Sequence, residues 1–201
     1  MSKKVNGELV KLLLSDDMTQ KFSTYTPSSK GAADASTRED VLGQLDLSAV
    51  IIHYQTPDLL KIAVESFKRF YPQTPLYVVD NGSDSDVVDS VEEWIGSQSN
   101  TKWVRLPKNV YHGPAMDFAA RQIVKSKYVF FLDSDTETKE GGFLERIVEH
   151  LESDEKNYAA GMFNRVNKRG FSTNSLSGEL ILQTPYMVVR RALYLQFPPF
   201  I

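Results

Sequence analysis

Two carboxylates spaced two residues apart, Asp133 and Asp135, flank the hydroxyl of Ser134 directly after the uncharged run Tyr128 to Leu132. Carboxylate and hydroxyl oxygens are hard donors. With no Lys or Arg beside them in the sequence, they suit Mg²⁺ or Mn²⁺ shared with a phosphate better than Zn²⁺. The run before them has the composition of a buried central strand, and the polar residues after them cannot continue it. The triplet is therefore expected where a strand leaves its sheet. In an open α/β sheet that carboxyl edge is where ligands collect. A solvated turn, with each Asp capping local amides, explains the same tripeptide equally well, so the other loops must decide.

The elements that would position such a site begin at Leu47. LSAVIIHY reads as a buried strand by its β-branched residues, and Pro57 falls near the first position of a helix, Asp58 to Tyr71. That helix gathers Leu59, Ile62, Ala63, Ser66, Phe67 and Phe70 on one face. A second strand, Leu76 to Val79, runs into the polar loop Asp80-Asn81-Gly82-Ser83-Asp84. A helix from Asp86 to Ile95, a strand from Lys102 to Leu106 and a helix from Ala115 to Lys125 lead back to the acidic triplet. Strand and helix alternate four times, which predicts parallel βαβ units with right-handed crossovers and an α/β fold. Loops after the first, second and fourth strands then share one edge, so Tyr54, Gln55, Thr56, Asp80 and Asp133 can converge. Beyond the triplet, a helix from Gly141 to Glu152, a strand from Tyr158 to Phe163, a hairpin loop over Asn164 to Ser177 and a strand from Pro185 to Val189 are expected. Residues 1–46 read as an appendage, with a short helix Glu8 to Leu14 and a linker Ser23 to Thr37, and 47–201 as the nucleotide-binding domain.

Composition narrows the function classes. A net charge of −3 gives no basic face for nucleic acid. The absence of cysteine excludes disulfides and thiolate metal sites. No apolar run reaches the length of a transmembrane helix, so a cytoplasmic protein, peripheral to a membrane at most, is expected. Neither GxGxxG nor GxxxxGK[ST] occurs, which argues against a dinucleotide fold and a P-loop kinase.

Taken in order, SAVIIHYQTPDLL, LYVVDNGSDSD, the pattern Lys108, Asn109, Gly113, Pro114, Ala115, and YVFFLDSDTE resemble the inverting family 2 glycosyltransferases of the GT-A fold. The likeness is strongest to the rhamnosyltransferase-like branch and covers about residues 47 to 195. It implies a mostly parallel central sheet flanked by helices and a nucleotide-diphospho-sugar donor, UDP- or dTDP-linked. It also implies a DxD motif that holds Mn²⁺ or Mg²⁺ on the donor's diphosphate. By the same resemblance Asp133 lies near the ribose and metal, beside Ser134, and Asp135 ligates the metal. Asp80 accepts hydrogen bonds from the base, while Tyr54, Gln55 and Thr56 line base and ribose. Asn81 and Lys108 add donor contacts, Gly113 admits the nucleotide closely, and Asp117 is a polar residue near the site. The family usually carries Asn where Gln55 stands and often an acidic residue where Asn81 stands.

Sugar transfer also needs a base to deprotonate the acceptor hydroxyl. The resemblance places that carboxylate at about the point where this sequence stops, Ile201, so a fragment or a degenerate member is expected and no base is nominated. The acceptor, whether glycan, lipid-linked or protein, is not indicated. A nucleotide-sugar-binding module without turnover and a sugar nucleotidyltransferase are the alternatives. The second would want a Gly-rich basic loop after the first strand, which HYQTPDLL lacks. Other polar residues carry blander expectations. His53 reads as a satisfied core histidine, His112 as a cap or surface group, and His150 as a helix-end residue suited to the dipole. Arg190 and Arg191 read equally as diphosphate contacts or solvated charges. Phe130, Phe131, Trp94 and Trp103 read as core aromatics.

Overall fold

A computed structural model describes residues 45–199, so the readings made for residues 1–44, including the short helix and the linker, lie outside the described residues. Six strands form one sheet in the order β3-β2-β1-β4-β6-β5. Strand β1 (Leu47–His53) is followed by helix α1 (Pro57–Phe70), β2 (Leu76–Asp80), α2 (Ser85–Ser97) and β3 (Thr101–Arg105). Helix α3 (His112–Phe118), extended by a π-type turn at Ala119–Ile123, then leads to β4 (Tyr128–Asp133). Helix α4 (Phe143–Glu152), β5 (Ala159–Val166), β6 (Glu179–Arg190) and the single turn α5 (Arg191–Tyr194) complete the chain. The first four strands are parallel, and β6 joins β4 antiparallel, with β5 outside it.

Alternation along β1 sorts the core into two layers. Leu47, Ala49 and Ile51 face Leu60, Ala63, Val64 and Phe67 of α1, together with residues of α2 and α4. Val50 and Ile52 face Ala115 and Met116 of α3 and the alanines of the π turn. The sheet is thus covered on both faces, as a run of apolar parallel strands requires. Phe67 is fully buried against Tyr71 and Phe130; truncating it to Ala would cost about 3–5 kcal/mol. Phe130 and Phe131 are core residues, and Trp94 and Trp103 pack half-buried against the core, as their composition suggested.

The last strand departs from expectation. It runs from Glu179, not Pro185, because a proline without a ladder donor is tolerated at an irregularity. Between the pairs Phe163↔Leu182 and Gly161↔Met187, residues 183–186 of β6 oppose the single residue Met162. Pro185 sits inside that bulge, and Tyr186 there takes φ 59°.

Candidate functional site

The winding reverses between β1 and β4. From β1 the chain steps outward to β2 and β3 through helices on one face, then returns under the other face through α3 to β4, on the opposite side of β1. The helix leaving β1 covers one face while the helix that feeds β4 crosses on the other, so the strand order reverses between β1 and β4 and leaves a crevice outside their carboxyl ends. A pocket of about 400 Å³ occupies it. Ile52, Tyr54, Thr56 and Leu59 come from the β1 exit and start of α1, Asn81 from the β2 exit, Asn109, Tyr111 and His112 from the β3–α3 connection, and Asp133, Ser134 and Asp135 from the β4 exit. The register pairs Ile52 with Asp133 and His53 with Asp80, so all three strands end at one level. The acidic triplet and residues far from it in sequence thus meet as expected.

Asp133 is the last strand residue, and the Thr136 N–H donates to its carbonyl at 3.2 Å. That tight turn keeps both carboxylates on the pocket wall. Burial pushes the Asp133 carboxyl above its ordinary value and the charge of Asp135 adds to this, whereas His112 and a hydrogen bond with Thr184 oppose it. The charged form is under-compensated, the condition in which a cation is most favoured. Mg²⁺ is ordinarily held by one or two carboxylates with substrate phosphates and water completing its shell. The pair fits an ion of that kind, and among the described residues no cluster of three or more acidic or histidine side chains is arranged to hold one alone. His112, expected to be a cap or surface group, faces this wall with Nε2 3.8 Å from Asp133 Oδ1. Only its place on the crossing from β3 brings it there.

Behind the β1 exit lies a buried brace. His53 Nε2 accepts from the Thr56 N–H at 3.2 Å, which leaves the proton on Nδ1 to donate to Asp80 Oδ1, also at 3.2 Å. The other Asp80 oxygen accepts from the Ser83 N–H at 3.2 Å and lies 3.9 Å from Arg105 Nε. Burial alone would raise the Asp80 carboxyl, but the hydrogen bonds from His53 and Ser83 outweigh it and hold it below its ordinary value. Asp80 is fully buried, and both of its oxygens are engaged within the protein. His53 is the satisfied core histidine foreseen. Gln55 takes φ 60°, and its N–H donates to Ser83 Oγ at 3.0 Å. Thr56 Oγ1, by contrast, is buried at the pocket wall with no partner among the described residues. Such an orphaned hydroxyl is completed by a ligand or water.

Asn81 lines the pocket, yet its amide is also committed. Nδ2 donates to Asn109 Oδ1 and to the Tyr111 carbonyl, both at 3.2 Å, and Oδ1 accepts from the Val110 N–H at 3.0 Å. Of its four hydrogen-bonding positions one lone pair remains. Gly82, at φ 77°, lies so close to the Lys108–Asn109 backbone that a Cβ would stand 2.3 Å from the Lys108 carbonyl carbon. The Asp-Asn-Gly segment is therefore the footing of the 109–111 loop.

Five further residues lie outside the pocket lining. Lys108 is exposed and contributes backbone to the Gly82 contact, and Gly113 lies in the first turn of α3 beyond the pocket lining. Asp117 accepts from Arg121 Nε at 2.7 Å and from the Tyr194 hydroxyl, fastening α3 to α5. Arg190 and Arg191, expected as diphosphate contacts or as solvated charges, instead both hold backbone carbonyls. Arg190 is buried and donates to the carbonyls of Leu151, Asp154 and Asn157. Arg191 donates to those of Ala120 and Arg121 in the π turn.

A doubly wound sheet with a carboxylate-lined pocket at its switch point and an antiparallel strand pair beyond β4 has the GT-A architecture of glycosyltransferases. The chain belongs to glycosyl transferase family 2, whose sequence model matches residues 48–198. No curated protein matches it in sequence. Among solved structures it is similar to the mannosyltransferase PcManGT from Pyrobaculum calidifontis in complex with GDP-Man and Mn²⁺. The identity there is 17%, the TM-score 0.58, and the match covers 78% of this chain and 47% of that one. It is also similar to S. aureus TarS 1-349 in complex with UDP-GlcNAc, at 19% identity and a TM-score of 0.50 over 76% of this chain and 48% of that one. At such identities the likeness is one of fold, and the chain spans about half the length of these structures.

Proposed function

We propose that the domain binds a nucleoside-diphosphate sugar in the β1/β4 crevice, with Asp133 and Asp135 holding Mn²⁺ or Mg²⁺ against the diphosphate, and serves its transfer to an acceptor hydroxyl with inversion. The observation that carries this reading is the shared wall. The two carboxylates line the same pocket as Tyr54, the orphaned Thr56 hydroxyl and Tyr111. When bound, a divalent ion offsets negative charge developing on a departing diphosphate. The protein's own part is positioning. The turn at Asp133 aims the carboxylates, the His53–Asp80 brace fixes Thr56 at the wall, and the half-apolar lining of Ile52 and Leu59 reduces water around the donor. Asp135 is the direct metal ligand in this reading, and Asp133, beside Ser134, would help to hold the ion and lie near the ribose. The motif likeness to the rhamnosyltransferase-like branch supports a UDP- or dTDP-sugar. A neighbouring fold described with GDP-Man and Mn²⁺ supports a divalent ion in this architecture.

The residues 47–201 are proposed as the donor-binding domain, with 1–46 an appendage to it. Incubating the protein with UDP- and dTDP-sugars, with and without Mn²⁺, and measuring released nucleoside diphosphate tests transfer. Metal-dependent release supports it. Tight donor binding with no release in the presence of candidate acceptors favours a binding domain without turnover.

A further inference from the structure

Tyr111 is built in a way that core packing does not explain. Its backbone takes φ 70° with ψ 167°, a region that L side chains rarely occupy and glycine enters freely. Yet its ring is 82% exposed, so the strain is not offset by burial. The conformation is imposed from every side. Its N–H donates to Asn109 Oδ1 at 2.8 Å, and its carbonyl accepts from Asn81 Nδ2 at 3.2 Å and from the Ala115 N–H at 3.2 Å. The backbone of Gly82 wedges beneath the loop. Residues held in sparsely populated backbone regions by such over-determination cluster at ligand sites. Here the ring borders the pocket.

Its place along the pocket says what it would touch. The Tyr111 carbonyl is tied to Asn81 at the exit of β2, whereas Asp133 and Asp135 leave β4, and β1 lies between those strands. Two strand spacings, about 10 Å, separate the two ends. A diphosphate at the carboxylates leaves room for a ribose and puts the base beside Tyr111. We infer that Tyr111 is the stacking platform for the nucleobase of the donor, held in a strained conformation by Asn81, Gly82 and Asn109 so that its ring stands at the mouth of the pocket. The inference rests on the donor reading above and deepens it by assigning the base-binding end.

The test uses the full chain and three ligands in the presence of Mn²⁺: UDP, dTDP and inorganic pyrophosphate. Tyr111→Gly removes the ring and relieves the backbone, so its unfolding midpoint is expected to be no lower than that of the wild type. Its affinity for UDP and dTDP is expected to fall about tenfold. Its affinity for pyrophosphate should stay within twofold, and Tyr111→Phe should bind all three as the wild type does. A merely structural tyrosine would not give this split between nucleotide and pyrophosphate. Nucleotide affinity unchanged in Tyr111→Gly, or pyrophosphate affinity lost in parallel with it, overturns the inference while leaving the donor reading standing. A wild-type protein that binds neither nucleotide overturns both.

Discussion

Replacing Gly82 by alanine gives a sharp perturbation, because the structure supplies two separate penalties. The residue sits at φ 77°, and a Cβ would lie 2.3, 2.4 and 2.5 Å from the Lys108 carbonyl carbon, the Asn109 nitrogen and the Lys108 Cα. All three are backbone atoms, which cannot rotate away. The left-handed conformation costs an L residue about 1 kcal/mol or more, and forcing a methyl group against fixed atoms adds about 1–3 kcal/mol. Reduced freedom of the unfolded chain returns about 0.5 kcal/mol, so the net loss is about 1.5–3.5 kcal/mol. Two other glycines separate the contributions. Gly170 shares the positive angle, at φ 81°, but has no atom within 4 Å of its would-be Cβ, and with the same return from the unfolded chain Gly170→Ala should cost only about 0.5 kcal/mol. Gly96, in α2 with equally open surroundings, has no such angle, and Gly96→Ala should raise stability by about 0.5–1 kcal/mol. Urea unfolding at fixed m reads all three. Should Gly82→Ala unfold within about 0.5 kcal/mol of Gly170→Ala, the claim that Gly82 is wedged against the 108–109 backbone is wrong.

Other consequences follow from the braces around the pocket. Asp80 titrates below its ordinary value of 3.8 when folded, so the unfolded chain binds the proton first as acid is added. Its stabilisation is fully present above that ordinary value and is lost as pH falls through the folded one. Urea midpoints measured from pH 6 to 2.5 should therefore fall less steeply at the acid end for Asp80→Asn than for the wild type, and parallel curves would refute the brace. Arg190→Met leaves the carbonyls of Leu151, Asp154 and Asn157 without this donor, and should cost about 2–3 kcal/mol of stability with nucleotide affinity unchanged. A fall in affinity at constant stability would instead return Arg190 to the diphosphate.

Fold and site were not equally legible. The four βα units were readable because β-branched runs and apolar helical stripes carry their own periodicity and their alternation leaves few topologies; the stripe of α1 was misplaced at its start, since Leu59 and Ile62 are exposed and Leu60 and Val64 are buried in their stead. The acidic triplet was readable for the same reason, since a strand that ends in carboxylates must end at an edge. What sequence does not encode is which way a polar side chain faces once the strand has ended. Asp80 and Asn81 are adjacent, yet one turns under the sheet edge to His53 and the other turns up to the 109–111 loop. His112 reaches Asp133 only through the crossing of α3 beneath the sheet, a long-range consequence of the switch in winding. Tyr111 drew no reading from the sequence because its signal is a backbone angle. Arg190 and Arg191 looked free because their partners are carbonyl oxygens, which every sequence has.

The donor reading stands or falls on the dependence of nucleotide affinity on a divalent ion through Asp135. Calorimetric titration of UDP and dTDP into the wild type, with Mn²⁺ and with a chelator, should show binding that weakens strongly when the ion is removed. Asp135→Ala, with an unchanged unfolding midpoint, should bind equally weakly under both conditions. Manganese-dependent affinity surviving intact in Asp135→Ala would contradict the assignment of the β4 carboxylates as the ion's anchor.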